Sequence, residues 1–208
     1  MRYGRDPNSV RLIAVSKTQP AAAIRTLAEL GQQDFGENYV QEALPKLDEL
    51  RDLSLTWHYV GQLQANKTRV VAEHFHWVHT LDRERIAVRL SEQRSPHAAP
   101  LNICIQVSLE DEPGKGGISK TELAALARRV LELPRLQLRG LMCIPPPREG
   151  FEAQRQLFGE LADCAHKLRE RGIELDTLSM GMSGDLEAAV AAGATCVRIG
   201  TAIFGERR

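Results

Sequence analysis

The stretch TLSMGMSGDLEAAVAAGATCVRIGTAIFG, residues 177–205, reads as an apolar run, a glycine-rich turn holding Ser183, and an alanine-rich helix. A second apolar run and a second turn, holding Gly200 and Thr201, follow. Two such turns side by side form a pocket for a phosphate, because backbone N–H groups at glycine turns and at a helix start present aligned donors and partial positive charge to an anion. Small residues let that anion approach closely.

Working back from this stretch, the same unit recurs along the chain. A strand is predicted over 11–17 and a helix over 21–31, started by Pro20 and stopped by Gly31. Strands follow around Phe35, over 56–61, over 77–81 and over 101–108, and helices over 40–50, 66–75 and 83–93. An amphipathic helix over 120–133 carries Leu123, Leu126, Ala127, Val130 and Leu131 at helical spacing. The sixth strand, LRGLMCIP, ends at Pro145, and a long helix over 151–171 carries Leu157, Leu161, Ala165 and Leu168 on one stripe. The tail supplies strands seven and eight. Eight mostly apolar strands alternating with helices predict a parallel sheet covered by helices, and the count of eight favours a closed (β/α)8 TIM-type barrel in a single domain over residues 1–208. A doubly wound open sheet is the alternative.

Bulk composition narrows the function. The chain has 208 residues, 27 Lys plus Arg, 27 Asp plus Glu and no formal net charge, so nothing in bulk attracts nucleic acid or an acidic membrane surface. No apolar run long enough for a membrane span and no signal core are present, which predicts a cytoplasmic protein. Cys104, Cys143, Cys164 and Cys196 lie far apart without a CxxC pair and are expected to be buried free thiols. His74, His76 and His79 lack the spacing of a tetrahedral metal site, so no metal is expected. A monomer is expected because no long apolar stripe remains once the helices cover the barrel.

Polar candidates cluster just after strands, where barrels place their sites. Lys17, Asn38, His58, Met142, Ser183, Arg198 and Thr201 are predicted to face one mouth. Lys17 follows a buried apolar strand, where low-dielectric surroundings favour the neutral, nucleophilic amine that a Schiff base needs. A phosphate pocket across the same mouth would hold a phosphorylated aldehyde with its carbonyl toward that amine, and pyridoxal phosphate is such a molecule. Arg198, just before Gly200 and Thr201, could face the pyridine nitrogen. An arginine does not readily give up its proton, so that nitrogen would stay unprotonated and serve as a weak electron sink.

The motifs AVSKTQP around Lys17, FGENYVQE (35–42), WHYVGQLQANK (57–67), GLMCI (140–144), MGMSGD (180–185) and VRIGTAIFG (197–205) are similar to those of the pyridoxal phosphate homeostasis proteins, over nearly the whole chain. The resemblance implies a barrel like the N-terminal domain of alanine racemase, with Lys17 as the Schiff-base lysine. It further implies phosphate contacts from Ser183, Gly200 and Thr201, Arg198 at the pyridine nitrogen and Asn38 beside the ring. His58 and Met182 would line the site. A role in holding and delivering cofactor to apoenzymes is expected. A small amino acid racemase is the alternative, but it needs an acid or base on each face of the alpha carbon, and none of Tyr3, Tyr39 and Tyr59 is clearly placed for the second face. A phosphate-sugar isomerase, suggested by the phosphate turns alone, lacks a strand-end glutamate for enolisation. The chain departs from the family in two places. Only residues 1–10 precede the first strand, where the family has a helix, so the barrel floor is expected to be less covered. In the acidic loop EDEPGKGGI, Lys115 reads as a solvated lysine, with the holding of a second cofactor as the other reading.

Overall fold

In the computed structural model, which describes residues 2–110 and 116–205, eight parallel strands close into a barrel in sequence order. They are β1 (Arg11–Val15), β2 (Asp34–Glu37), β3 (Thr56–Tyr59), β4 (Trp77–Leu81), β5 (Leu101–Gln106), β6 (Leu136–Met142), β7 (Thr177–Ser179) and β8 (Cys196–Ile199). The last strand pairs with the first, Arg11 opposite Cys196 through Ala14 opposite Ile199, and this seam closes the sheet. The expected barrel is therefore the observed one. Lys115 lies outside the described residues.

Among the described residues, eight α-helices lie between and after the strands: α1 (Ala21–Glu29), α2 (Val40–Glu49), α3 (Thr68–His74), α4 (Glu84–Gln93), α5 (Leu123–Leu131), α6 (Phe151–Arg169), α7 (Leu186–Ala191) and α8 (Thr201–Phe204). Leu123, Leu126, Ala127 and Val130 on α5 and Leu157, Leu161, Ala165 and Leu168 on α6 are buried as the spacing predicts, whereas Leu131, placed on the same α5 stripe from the sequence, is exposed near the end of the helix. These faces and the outward side chains of the strands form one continuous apolar core, whose burial supplies the main favourable term in folding. All four cysteines are buried free thiols. No helix among the described residues is long and apolar enough to cross a membrane.

The barrel interior is different in character. Trp77, Cys104 and Met142 form a small apolar cluster apart from the main core. Beside it lie the buried side chains of His58, His79, Ser179 and Arg198. The bond between His79 on β4 and Ser179 on β7 joins strands that are not neighbours in the sheet, so it crosses the lumen.

Strands β6 and β7 approach closely at Gly140. Gly140 sits opposite Thr177, and a Cβ at Gly140 would overlap the Thr177 carbonyl oxygen. Because that obstacle is backbone, Gly140→Ala is expected to force β6 and β7 apart and to cost about 3 kcal/mol or more. Urea unfolding checks this; an unchanged midpoint would show that the strands can part freely there.

Candidate cofactor site

At the C-terminal ends of the strands, a cavity of about 290 Å³ gathers Lys17, Asn38, Met182, Ser183, Arg198, Gly200 and Thr201. Val15, Val60, Ile144 and Phe204 give it apolar walls. Seven of the eight predicted binding residues thus meet in one place, carried by the ends of β1, β2, β7 and β8. Small-molecule sites commonly start near 300 Å³, so the space suits one small ring with its substituents.

Each residue is held there by local structure. β1 ends at Val15, and Lys17 stands two residues later in a turn closed by the bond from the Gln19 amide to the Ser16 carbonyl, 3.0 Å. The next residue, Thr18, takes a positive φ of 65°, and its amide donates to Glu42 Oε2 on α2 at 3.0 Å. This left-handed residue turns the chain sharply beside the lysine. Asn38 follows β2, and its backbone carbonyl passes so near Gly61 that a Cβ on Gly61 would collide with it. Asn38 Oδ1 is buried without a hydrogen-bond partner, a costly state unless a ligand supplies one. Ser183 Oγ accepts from the Ala202 amide at 3.2 Å, which ties the turn after β7 to the start of α8 and keeps the serine O–H as a donor.

Arg198 is buried in the barrel and reaches the cavity from below. Its Nη1 donates to Ser179 Oγ at 2.7 Å and its Nη2 to the Cys143 carbonyl at 2.9 Å. Burial pushes its pKa down from the ordinary value, yet an arginine stays cationic in a protein.

Two predicted members of the mouth lie elsewhere. His58 pairs across the sheet with Gly36 and with Trp77, the first residue of β4, so it sits in a lower layer of the lumen. There it bonds Asp34 and His79, and it lines a separate cavity of about 470 Å³ at the N-terminal end of the barrel with Arg11, Arg139 and Asp176. Met142 is fully buried against Trp77 and Cys104, one layer below the mouth. The three histidines weighed as a metal site separate as well: His74 and His76 are exposed, while His79 is buried and bonded on both ring nitrogens.

The sequence reading missed a buried ionic cluster beneath Lys17. Glu37 Oε1 accepts from Ser16 Oγ at 2.6 Å and from Lys46 Nζ at 2.9 Å, and Lys46 Nζ also donates to the Ser16 carbonyl at 2.9 Å. The Glu37 side chain is 0% exposed and its Oε2 has no partner. The signal was a charged residue closing an apolar strand, DFGE, and a lysine on the inner face of α2.

Comparisons with known proteins agree with this architecture. The family model of the alanine racemase N-terminal domain matches residues 4–208. The chain is 56% identical over 204 residues to the pyridoxal phosphate homeostasis protein of Pseudomonas aeruginosa, covering 98% of this chain and 87% of that one. It is 52% identical over 209 residues to the protein of the same name from Escherichia coli K12, covering 99% and 89%. Among solved structures it is similar to PipY of Synechococcus elongatus with PLP bound, with a TM-score of 0.89, 42% identity and coverage of 98% of this chain and 96% of that chain. Alanine racemase of Corynebacterium glutamicum shares the fold, with a TM-score of 0.70 at 17% identity, over 96% of this chain and 56% of that chain.

The ionic cluster gives a prediction with a definite sign. Burial raises the Glu37 pKa above its unfolded value, so this group's contribution to stability is present below the unfolded value and is lost as pH rises through the folded one. Lys46→Met is expected to cost about 3–5 kcal/mol by leaving a buried carboxylate without its cation. Its cost should grow with pH, because a protonated Glu37 tolerates the apolar site. Adding Glu37→Gln should recover most of the loss. Urea unfolding across about pH 5–9 tests this, and a pH-independent cost would refute it.

Proposed function

The chain belongs to the alanine racemase N-terminal domain family and, within it, to the pyridoxal phosphate homeostasis proteins; from that premise we propose that it is a one-domain barrel that holds pyridoxal phosphate and buffers or delivers it. The observation that carries this reading is the convergence of Lys17, Asn38, Ser183, Arg198, Gly200 and Thr201 on one cavity. The donor set fits the cofactor. Ser183, with its hydroxyl proton available, and the start of α8 at Gly200 and Thr201 suit a phosphate. Asn38, with its unpartnered Oδ1 and its amide N–H group, suits the ring substituents. Arg198, donor-only and cationic, suits the ring nitrogen, and Met182 flanks the phosphate side of the cavity.

Lys17 is the residue that would anchor the aldehyde as a Schiff base, a condensation that releases one water. When bound, pyridoxal phosphate supplies an electron-accepting ring. Arg198 weakens that capacity by keeping the ring nitrogen unprotonated, which suits storage better than carbanion chemistry. The placement of the tyrosines supports the same choice over a racemase. Tyr59 is buried, bonds the Gln62 carbonyl and is pushed up to about 12 by desolvation. Tyr3 stacks on Phe151, and Tyr39 is exposed along a separate groove. None of the three lines the cavity. Apoenzymes that use pyridoxal phosphate are the proposed recipients, and we read the protein as a cytoplasmic monomer.

The test is the absorption spectrum of the purified protein with added pyridoxal phosphate, over roughly 300–500 nm. A band that borohydride fixes onto Lys17, and that Lys17→Ala lacks, is expected. A chain that stays colourless would refute the reading. Ser183→Ala should weaken cofactor retention by about 1–3 kcal/mol, the range for losing a hydrogen bond to a charged group, as read by equilibrium dialysis. Full retention would remove Ser183 from the phosphate contacts. A racemase assay with the loaded protein separates storage from catalysis.

A further inference from the structure

Arg198 is the upper end of a continuous chain of hydrogen bonds. Its Nη1 lies 2.7 Å from Ser179 Oγ, Ser179 Oγ 2.8 Å from His79 Nδ1, His79 Nε2 2.9 Å from His58 Nδ1, and His58 Nε2 2.8 Å from Asp34 Oδ1. The five residues come from β8, β7, β4, β3 and β2. Asp34 is the first residue of its strand, so the chain runs from the cofactor end of the barrel to the opposite end.

Donor and acceptor chemistry gives this chain one direction. Arginine only donates, so Ser179 Oγ accepts from it. The Asp34 carboxylate only accepts, so His58 Nε2 carries a proton. A neutral His58 then has a bare Nδ1, which accepts from Nε2–H of His79. That leaves His79 Nδ1 bare, and the Ser179 hydroxyl donates to it. With both rings neutral, this assignment alone serves all four bonds. Burial pushes both imidazoles below their ordinary value: on His58 it outweighs the upward pull of Asp34 and is aided by Arg11, 3.8 Å from Asp34, and on His79 it is aided by Arg198 and Arg11. Cys196 and Trp77 are the other groups facing the lower part of the chain from β8 and β4, and the Cys196 thiol is held neutral by a pKa pushed up to about 12.

We infer that Ser179, His79 and His58 are positioning residues, a one-way line of donors anchored on Asp34 that holds the Arg198 guanidinium toward the cavity. The inference rests on the reading of Arg198 as the partner of the cofactor's ring nitrogen. It goes beyond that reading by making the cofactor's surroundings depend on a carboxylate at the far end of the barrel.

The experiment uses histidine-labelled protein and the variants Asp34→Ala and Asn8→Ala. Asp34 is 22% exposed at the floor, and Asn8 lines the same floor outside the chain, which makes it the control for general disturbance. Nitrogen-15 NMR without cofactor is expected to show both rings of the wild type as neutral Nε2–H tautomers over about pH 6–8. In Asp34→Ala each ring should sample both tautomers. With pyridoxal phosphate added, Asp34→Ala should alter the ratio of the cofactor's absorption bands and weaken retention about threefold to tenfold, while Asn8→Ala changes neither. An Nδ1–H or charged ring in the wild type would overturn the assigned direction. A loaded Asp34→Ala protein with wild-type bands and retention would overturn the coupling while leaving the cofactor reading intact. If the wild type takes up no pyridoxal phosphate, the proposed function fails, and exchange protection of the Arg198 guanidinium protons decides the chain. Loss of that protection in Asp34→Ala supports it, and equal protection overturns it.

Discussion

The pairing of β1 with β8 is the constraint on which the site depends. Lys17 and Asn38 come from the first two strands, and Ser183, Arg198, Gly200 and Thr201 from the last two. These residues share a cavity only because Arg11 to Ala14 lie in register with Cys196 to Ile199. A shift of one residue along that seam would turn the Arg198 side chain from the lumen to the outer face, since neighbouring strand residues point to opposite sides. The Glu37, Lys46 and Ser16 cluster stiffens the same corner, because it joins the end of β1 to the end of β2 and to α2.

Placing a guanidinium inside the barrel has a cost that the rest of the lumen offsets. Barrel interiors of this class are usually layers of branched aliphatic side chains. Here a buried cation needs acceptors, and they are supplied by Ser179 and the Cys143 carbonyl. Ser179 in turn needs an acceptor for its own proton, and the requirement passes through two imidazoles to Asp34. The polar interior therefore follows from one demand made at the mouth. Trp77 closes the lower end, with Arg11 and Arg139 carrying their guanidinium carbons to 5.4 and 5.1 Å from its ring.

Much of the fold was legible because periodicity reports burial directly. The stripes on α5 and α6, the apolar strands and the glycine turns around Ser183 and Gly200 each state their own surroundings. The mouth residues were legible for the same local reason, since each stands just beyond a strand. His58 and Met142 were placed too high because sequence says that a strand residue faces inward without saying at which layer. Layer is set by register between strands, and His58 is level with Trp77 rather than with Asn38. Glu37, Lys46 and the links through His79 and Ser179 were not legible, because each has meaning only with partners brought near by closure. His79 and Ser179 are 100 residues apart, and no local pattern joins them.

The seam also bears on how the protein is made. Synthesis is slow compared with the formation of local helices, so the early β/α units can assemble while later ones are still being translated. The first strand nevertheless keeps an open edge until the eighth has left the ribosome, and long-range pairings of this kind are the late steps of folding. A nascent chain already displays its lysine and asparagine, but not the serine, the arginine or the helix start that complete their cavity. Capacity for a phosphorylated ligand thus arises in one step, once the eighth strand and the turn after it have emerged, and a polypeptide that stops short of them cannot sequester it.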